Sequence, residues 1–258
     1  MNPILCNFFW VFPIPLYGFC IVLGVAAALF LAWRDNRVSA LMSRDDLCSL
    51  GSIAIIGGIV GGRVLFLLTT QKYCHSWYEI FAVWDGGFAI LGTVVGSVLM
   101  MTWFIKKKGL PLLKVFDVLG MYAPLIQAFG RVGCFFAGCC FGVESSCRLA
   151  ITYTHPLSMA PLCIPLHPVQ LYNAVLLGVL FLILYSKPPL RIAGLTFCLS
   201  LAGLIIIRFA TDFWRGDRGI LTCFMGVDLS VHQIISLGLI VLLAFFALFL
   251  IVVNRKRG

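Results

Sequence analysis

The chain has 258 residues, 61% of them hydrophobic and only 11% charged, and carries a formal net charge of +9; its mean hydropathy is +1.04. This composition excludes a soluble globular domain and an intrinsically disordered chain, and it points to a membrane-embedded protein. Backbone polar groups in lipid have to be satisfied internally, which leaves helix bundles or closed barrels.

The apolar runs are continuous over roughly 18–25 residues and lack the short-period alternation of barrel strands, so they read as helices. The first, 16–33, opens on Leu16-Tyr17-Gly18-Phe19 and ends at Trp33. The second, 47–70, contains "GGIVGGR", Gly57 to Arg63. The third, 86–105, lies within and beyond "WDGGFAILGTVVG" and stops before Lys106-Lys107-Lys108. The fourth, 115–137, runs into "FGRVGCFFAGCCFG", Phe129 to Gly142. The fifth, 169–186, follows His167-Pro168; the sixth, 194–213, ends in "RFATDFWRGD"; the seventh is 232–253. Short connecting loops leave a single polytopic all-α membrane domain over 1–258. Trp10, Trp33, Trp77, Trp84 and Trp214 fall near span ends, as interfacial aromatic belts require, and Trp103 falls inside a span.

The basic residues give the topology. Loops after the odd-numbered spans and the tail hold Arg34, Arg37, Arg44, Lys106, Lys107, Lys108, Lys114, Lys187, Arg191, Arg255, Lys256 and Arg257, whereas loops after the even spans hold only Lys72, Arg148, Arg215 and Arg218. By the positive-inside rule the amino terminus is extracytoplasmic and the carboxyl terminus cytoplasmic. The basic runs are anchors beside anionic lipid, and no nucleic-acid partner is implied. No basic n-region precedes the first span, so no removable signal peptide is expected. The absence of G-x-S-x-G, H-E-x-x-H and Walker motifs leaves serine hydrolases, zincins and nucleotide-driven pumps without support.

Three basic residues remain, Arg63, Arg131 and Arg208, each inside a span. A charge at the centre of a membrane helix costs about 2.5–3.5 kcal/mol on insertion scales, so each needs a reason. Pairing with Asp117 or Asp212 could account for one; three at similar depth point to an anionic ligand. Guanidinium suits bidentate recognition of phosphate, which makes a phospholipid headgroup the expected anion. The glycines around Arg63 and Arg131 permit close approach of helix backbones or of a lipid. Arg215 to Gly219, "RGDRG", reads as an exposed interfacial loop.

Eleven cysteines form no recognised zinc spacing: Cys134-x4-Cys139-Cys140 has no histidine within a few residues, and no metal is expected. The cysteines read first as small apolar packing residues. The alternative is a disulfide from Cys139 or Cys140 to the segment between Cys147 and Cys163.

With "LYGF", "GGRVLFLL", "WDGGFAILGTVVG", "GRVGCFFAGCCFG", "HPVQLYNAV", "RFATDFWRGD" and "LSVHQIISL" in this order, the chain resembles the prolipoprotein diacylglyceryl transferases over nearly its whole length. The resemblance implies a multi-pass protein of the bacterial inner membrane without a cofactor. It would move the diacylglyceryl group of phosphatidylglycerol onto the lipobox cysteine thiol of a prolipoprotein, forming a thioether and releasing glycerol phosphate. Its partners would be phosphatidylglycerol, the prolipoprotein and membrane lipids. Carried over by motif, Arg131 and Arg208 grip the phosphate. Arg63, Tyr17, Gly130, Gly142, Gln170, Tyr172, Asp212 and Arg215 contribute to substrate binding.

The chain departs from the family pattern at several polar positions. Leu91 stands for a histidine, Cys134 and Ala137 for asparagines, Cys139 for a glutamate, Leu204 for a tyrosine and Asn173 for an acid. His167 is then the candidate base for the acceptor thiol, since an imidazole titrates in the right range; otherwise it caps the helix that follows Pro168. The same departures would suit a member of this fold with another acceptor or donor lipid, or one that binds or moves lipid without catalysis.

Overall fold

The computed structural model describes residues 4–8, 12–69, 89–224 and 227–255. Trp10, Lys72, Trp77, Trp84, Lys256, Arg257 and the first residues of the expected third span lie outside them. In chain order the elements are β1 (Ile4–Phe8), β2 (Phe12–Pro15), α1 (Leu16–Arg34), α2 (Asn36–Ser39), α3 (Arg44–Thr69) and α4 (Ile90–Lys107). There follow α5 (Leu112–Gly120), α6 (Ala123–Ala137), β3 (Ile151–Thr152), β4 (Pro165–Leu166), α7 (Val169–Ser186), α8 (Leu195–Asp212), β5 (Ile220–Phe224), β6 (Val227–Ser230) and α9 (Val231–Arg255). The strands form three separate antiparallel hairpins, β1 with β2, β3 with β4 and β5 with β6. Among the described residues five helices are long and apolar enough to cross a membrane, α1, α3, α7, α8 and α9, and α5 with α6 make a sixth if the bent pair is one span.

That bend corrects the continuous span expected at 115–137. The chain turns by 41° between α5 and α6. Pro124 lies in the first turn of α6, where its missing N–H costs nothing, and it cannot continue the helix that precedes it. Just before the break Gly120 lies against Phe197: a Cβ there would sit 2.7 Å from the ring.

Two compact units divide the chain, Trp33–Val115 and Met1–Ala32 with Phe116–Gly258. In the first, α3 and α4 cross at their glycines. A Cβ on Gly61 would lie 2.8 Å from the Cα of Gly96, one on Gly57 would lie 2.8 Å from Met100 Cβ, and Ser97 Oγ donates to Ala54 O at 2.7 Å. The glycines of "GGIVGGR" therefore serve helix packing, where small residues let two backbones and their dispersion contacts come close without a hydrophobic driving force between helices.

In the second unit α6 packs on α7, α7 on α8 and α8 on α9. Polar ties join the helices. Asn173 Nδ2 donates to Thr211 Oγ1 at 2.8 Å, and Ser200 Oγ donates to Gly120 O at 2.7 Å. The start of α9 carries a capping box: Gln233 N donates to Ser230 Oγ at 3.2 Å while Ser230 N donates to Gln233 Oε1 at 2.9 Å, so two otherwise orphaned amides are satisfied reciprocally.

Asp117, expected as a possible arginine partner, does something else. It is buried, and its carboxylate accepts from Gly194 N at 2.6 Å and Phe197 N at 2.8 Å, closing the start of α8, where Gly194 brings no side chain of its own. A carboxylate there also meets the positive end of the helix dipole. Asp117→Ala leaves two buried amides without an acceptor and should lower unfolding stability by about 2–4 kcal/mol. Asp117→Asn, which keeps one acceptor oxygen, should lose less. Denaturant unfolding of the detergent-solubilised variants measures both.

Candidate functional site

Three arginines gather where α8 ends. Asp212, 1% exposed, lies at the last turn. Its Oδ1 is 3.2 Å from Arg208 Nη2 and 4.0 Å from Arg215 Nη1, and its Oδ2 accepts from Ser230 Oγ. The loop is exposed at Gly216, Asp217 and Gly219, as the sequence suggested, but Arg215 itself turns inward. Its side chain is only 10% exposed and forms a fork with Asp217, Nε to Oδ1 at 2.8 Å and Nη2 to Oδ2 at 2.7 Å. The turn is pinned from behind, since Gly216 N donates to Phe141 O at 2.9 Å and Val143 N to Trp214 O at 2.9 Å.

Arg131 lies on α6, half-buried, and its charge repels that of Arg208, as does that of Arg215. The Nη1 of Arg208 is buried and has no hydrogen-bond partner among the described residues. Positive charge thus exceeds what Asp212 and Asp217 answer, and a guanidinium N–H is held free. Beside Arg131, a Cβ added to Gly130 would meet nothing within 4 Å. Such an arrangement can receive a phosphate, because an oxyanion would supply both the missing acceptor and the missing charge.

Tyr17 joins this group. At the start of α1 its backbone passes so close to α6 that a Cβ on Gly133 would lie 3.1 Å from Tyr17 Cα and O and 3.2 Å from Cys20 Cβ. The phenol feels the charge of Arg131 and the thiols of Cys134, Cys139 and Cys140. Those three sulfurs lie within 4.8 Å of one another. The spacing matches no recognised zinc motif and gave no sign of this convergence. The chain reverses after α6 through Gly138 at φ 75° and Cys140 at φ 55°, left-handed conformations that a spacing rule does not anticipate.

The segment between α6 and α7 closes around Tyr153, Ala160 and Leu166, with Phe141 and Ile151 packed against them. Burial pushes the Tyr153 phenol up to about 12. Its OH donates to Phe135 O at 3.0 Å. Gln170, buried in α7, donates through Nε2 to Cys139 O at 2.9 Å and to Tyr153 OH at 3.4 Å, so this nitrogen braces the turn, while Oε1 has no partner among the described residues. Gly142 is tight: a Cβ there would lie 2.7 Å from His167 Cβ.

His167 bears its ring at the centre of a small cluster. Its Nδ1 lies 3.7 Å from Cys147 Sγ and 3.3 Å from Tyr172 OH. No disulfide joins this segment to the signature: Cys139, Cys140, Cys147 and Cys163 are all free thiols. Arg63, buried in α3 with its guanidinium 5.6 Å from the Phe66 ring centroid, belongs to the Trp33–Val115 unit.

Comparison with known proteins agrees with the motif order. The family model described as prolipoprotein diacylglyceryl transferase matches residues 3–250. A phosphatidylglycerol–prolipoprotein diacylglyceryl transferase of Clostridium tetani is 32% identical over 247 residues, covering 94% of this chain and 95% of its own. One of Geobacter sulfurreducens is 31% identical, covering 94% of this chain and 92% of its own. A second such enzyme of Clostridium perfringens is 31% identical, with 87% and 86% covered.

The cluster around His167 can be tested by itself. The Cys147 thiol is held below its ordinary value, first by its hydrogen bond with Ser145. A lowered pKa means that the thiolate is already populated at a pH where a free cysteine, near 8.5, is mostly protonated. The pH midpoint of Cys147 alkylation by iodoacetamide, followed by residue-resolved mass spectrometry, should therefore lie below that value, and Ser145→Ala should move it upward. An unchanged midpoint in Ser145→Ala would remove the serine as the cause.

Proposed function

The chain belongs to the prolipoprotein diacylglyceryl transferase family, and from that premise we propose that it transfers the diacylglyceryl group of phosphatidylglycerol to the lipobox cysteine thiol of a prolipoprotein. The observation that carries the site assignment is the guanidinium surplus around Asp212, with Arg208 Nη1 buried and unpaired among the described residues. Arg131 and Arg208 hold the lipid phosphate. As the glyceryl C–O bond breaks, the phosphate leaves with the electron pair and its added charge falls on these guanidiniums, the kind of preorganised electrostatic stabilisation that dominates many catalysed reactions. Tyr17, Gly130 and Arg215 line the same place, and Asp212 fixes Arg208 and Arg215. Gly142, Gln170 and Tyr172 shape the outer segment on which His167 stands. His167 takes the proton of the acceptor thiol, which then attacks the glyceryl carbon to give the thioether.

The expected arrangement is one polytopic domain of seven spans in the bacterial inner membrane, amino terminus outside. It rests on the distribution of lysine and arginine among the loops. A reporter fused after Gly258 should be cytoplasmic and a cysteine label within 143–167 accessible from outside; access to that segment only after lysis would reverse the topology.

The reaction is tested by supplying purified enzyme with phosphatidylglycerol vesicles and a lipobox peptide and reading the mass gain on the peptide. Arg131→Ala and Arg208→Ala should each lower turnover by roughly 10²–10³-fold, the range found on removing one preorganised donor to a developing oxyanion. His167→Ala should lower it by about 10²–10⁴-fold while leaving lipid binding intact. A histidine that merely caps α7 would instead lower thermal stability at an unchanged rate per folded molecule. Lipid bound without any mass gain on the peptide would identify a binding member of the family and not a transferase.

A further inference from the structure

We propose that Cys134, Cys139 and Cys140 form a three-thiolate site for zinc, with its fourth coordination position open to an external thiol. The last clause rests on the transferase reading; the metal site does not. The three sulfurs already lie within 4.8 Å of one another, and no fourth histidine, cysteine or acid joins them at that distance among the described residues. With Zn–S bonds near 2.3 Å, tetrahedral thiolates stand about 3.8 Å apart, so closure asks for movements of about an ångström. Three protein ligands and one vacant position is the pattern of zinc sites that do chemistry, as distinct from four-ligand structural sites.

The cluster sits on a braced turn. Gly138 and Cys140 both take left-handed conformations, and a non-glycine residue held there needs its surroundings to impose it. Gln170 Nε2 grips Cys139 O, Met159 N donates to Ala137 O at 3.1 Å, and Gly216 N holds Phe141 O. Charge fits as well. Three thiolates around a divalent ion leave one net negative charge beside Arg131 and Arg215, whose fields reach Cys140.

Thiolates are soft ligands that select zinc or copper(I) over magnesium or calcium, and a vacant tetrahedral position suits zinc. A thiol entering that position would be acidified by coordination and would give up its proton more readily to the base, His167 in the proposed reaction. The acceptor of the proposed reaction is a thiol, and this chain lacks the histidine and asparagine of the family pattern at Leu91 and Cys134. A bound zinc ion would therefore present the acceptor as a thiolate next to the phosphate grip.

Cobalt(II) is the probe, added to the full-length protein in detergent under a phosphine reductant. Wild type should take one equivalent, show a thiolate-to-cobalt charge-transfer band and lose it on adding zinc. Cys139→Ser and Cys140→Ser should lose the band with unchanged helical circular dichroism, while Cys48→Ser and Cys163→Ser, both at exposed positions, should keep it. No band in wild type, or a band that survives both signature replacements, overturns the site. A cysteine-containing lipobox peptide should shift the cobalt d–d bands and its serine counterpart should not; equal response overturns the open position. Peptide lipidation at full rate by demetallated protein would refute the thiol role and leave the transferase reading standing. A filled site without any lipidation would overturn the transferase reading, and the thiol role with it, and leave the metal site standing.

Discussion

One carboxylate, that of Asp212, governs the charged end of this molecule. Out of reach of solvent at the last turn of α8, it meets Arg208, Arg215 and the hydroxyl of Ser230. Through Ser230, which also caps α9, it ties the α8 terminus to the start of the next helix. An uncompensated charge in such a place would be expelled or neutralised. Asp212 persists because its partners are cations, and the cations persist partly because of Asp212. The compensation is incomplete, since Arg131 adds a further positive charge to the same neighbourhood. A surplus of positive charge of this kind is what the proposed reading of the site as an anion-binding place rests on.

The second dependence is geometric. Helix α6 carries Arg131 and Cys134 on successive turns of one short segment, and its backbone is approached by Tyr17 at Gly133. The left-handed reversal at Gly138 then returns Cys139 and Cys140 toward Cys134. Neither a straight exit from the helix nor a right-handed continuation would bring the sulfurs together. The reversal is kept in place by groups distant in sequence, Gln170 from α7, Met159 from the segment between α6 and α7 and Gly216 from the loop after α8. The arginine cluster, the thiol cluster and the segment between α6 and α7 are therefore mechanically one assembly within this unit, and a disturbance of the turn should be felt by each of them.

Some side chains that the motifs mark for substrate binding spend hydrogen bonds on architecture. Gln170 Nε2 holds a backbone carbonyl and a phenol, and Arg215 is forked to Asp217. Asn173, standing where the family pattern has an acid, bonds across to Thr211 and joins α7 to α8. In a low-dielectric setting these bonds are made because the alternative is an unsatisfied polar group.

Much was legible in the amino-acid order alone. Continuous apolar runs fix membrane helices because lipid offers the backbone no partner, and the locations of α1, α3, α7, α8 and α9 follow from that. Arg131 and Arg208 stand out by residue type, because a guanidinium in a bilayer needs a partner for its charge, and for Arg208 one such partner is Asp212. The motif order gives the family. What the sequence left open depends on contacts between residues far apart in the chain. The break before α6 was written in Pro124 but masked by unbroken hydropathy, and the Ser230–Gln233 capping box by its position after a strand. That Asp117 would close the first turn of α8, and not answer an arginine, is decided by where Gly194 and Phe197 come to lie. The meeting of three cysteines is decided by two left-handed residues whose conformation is imposed by neighbours, since a local sequence states which atoms are available and only the packed chain states which of them meet.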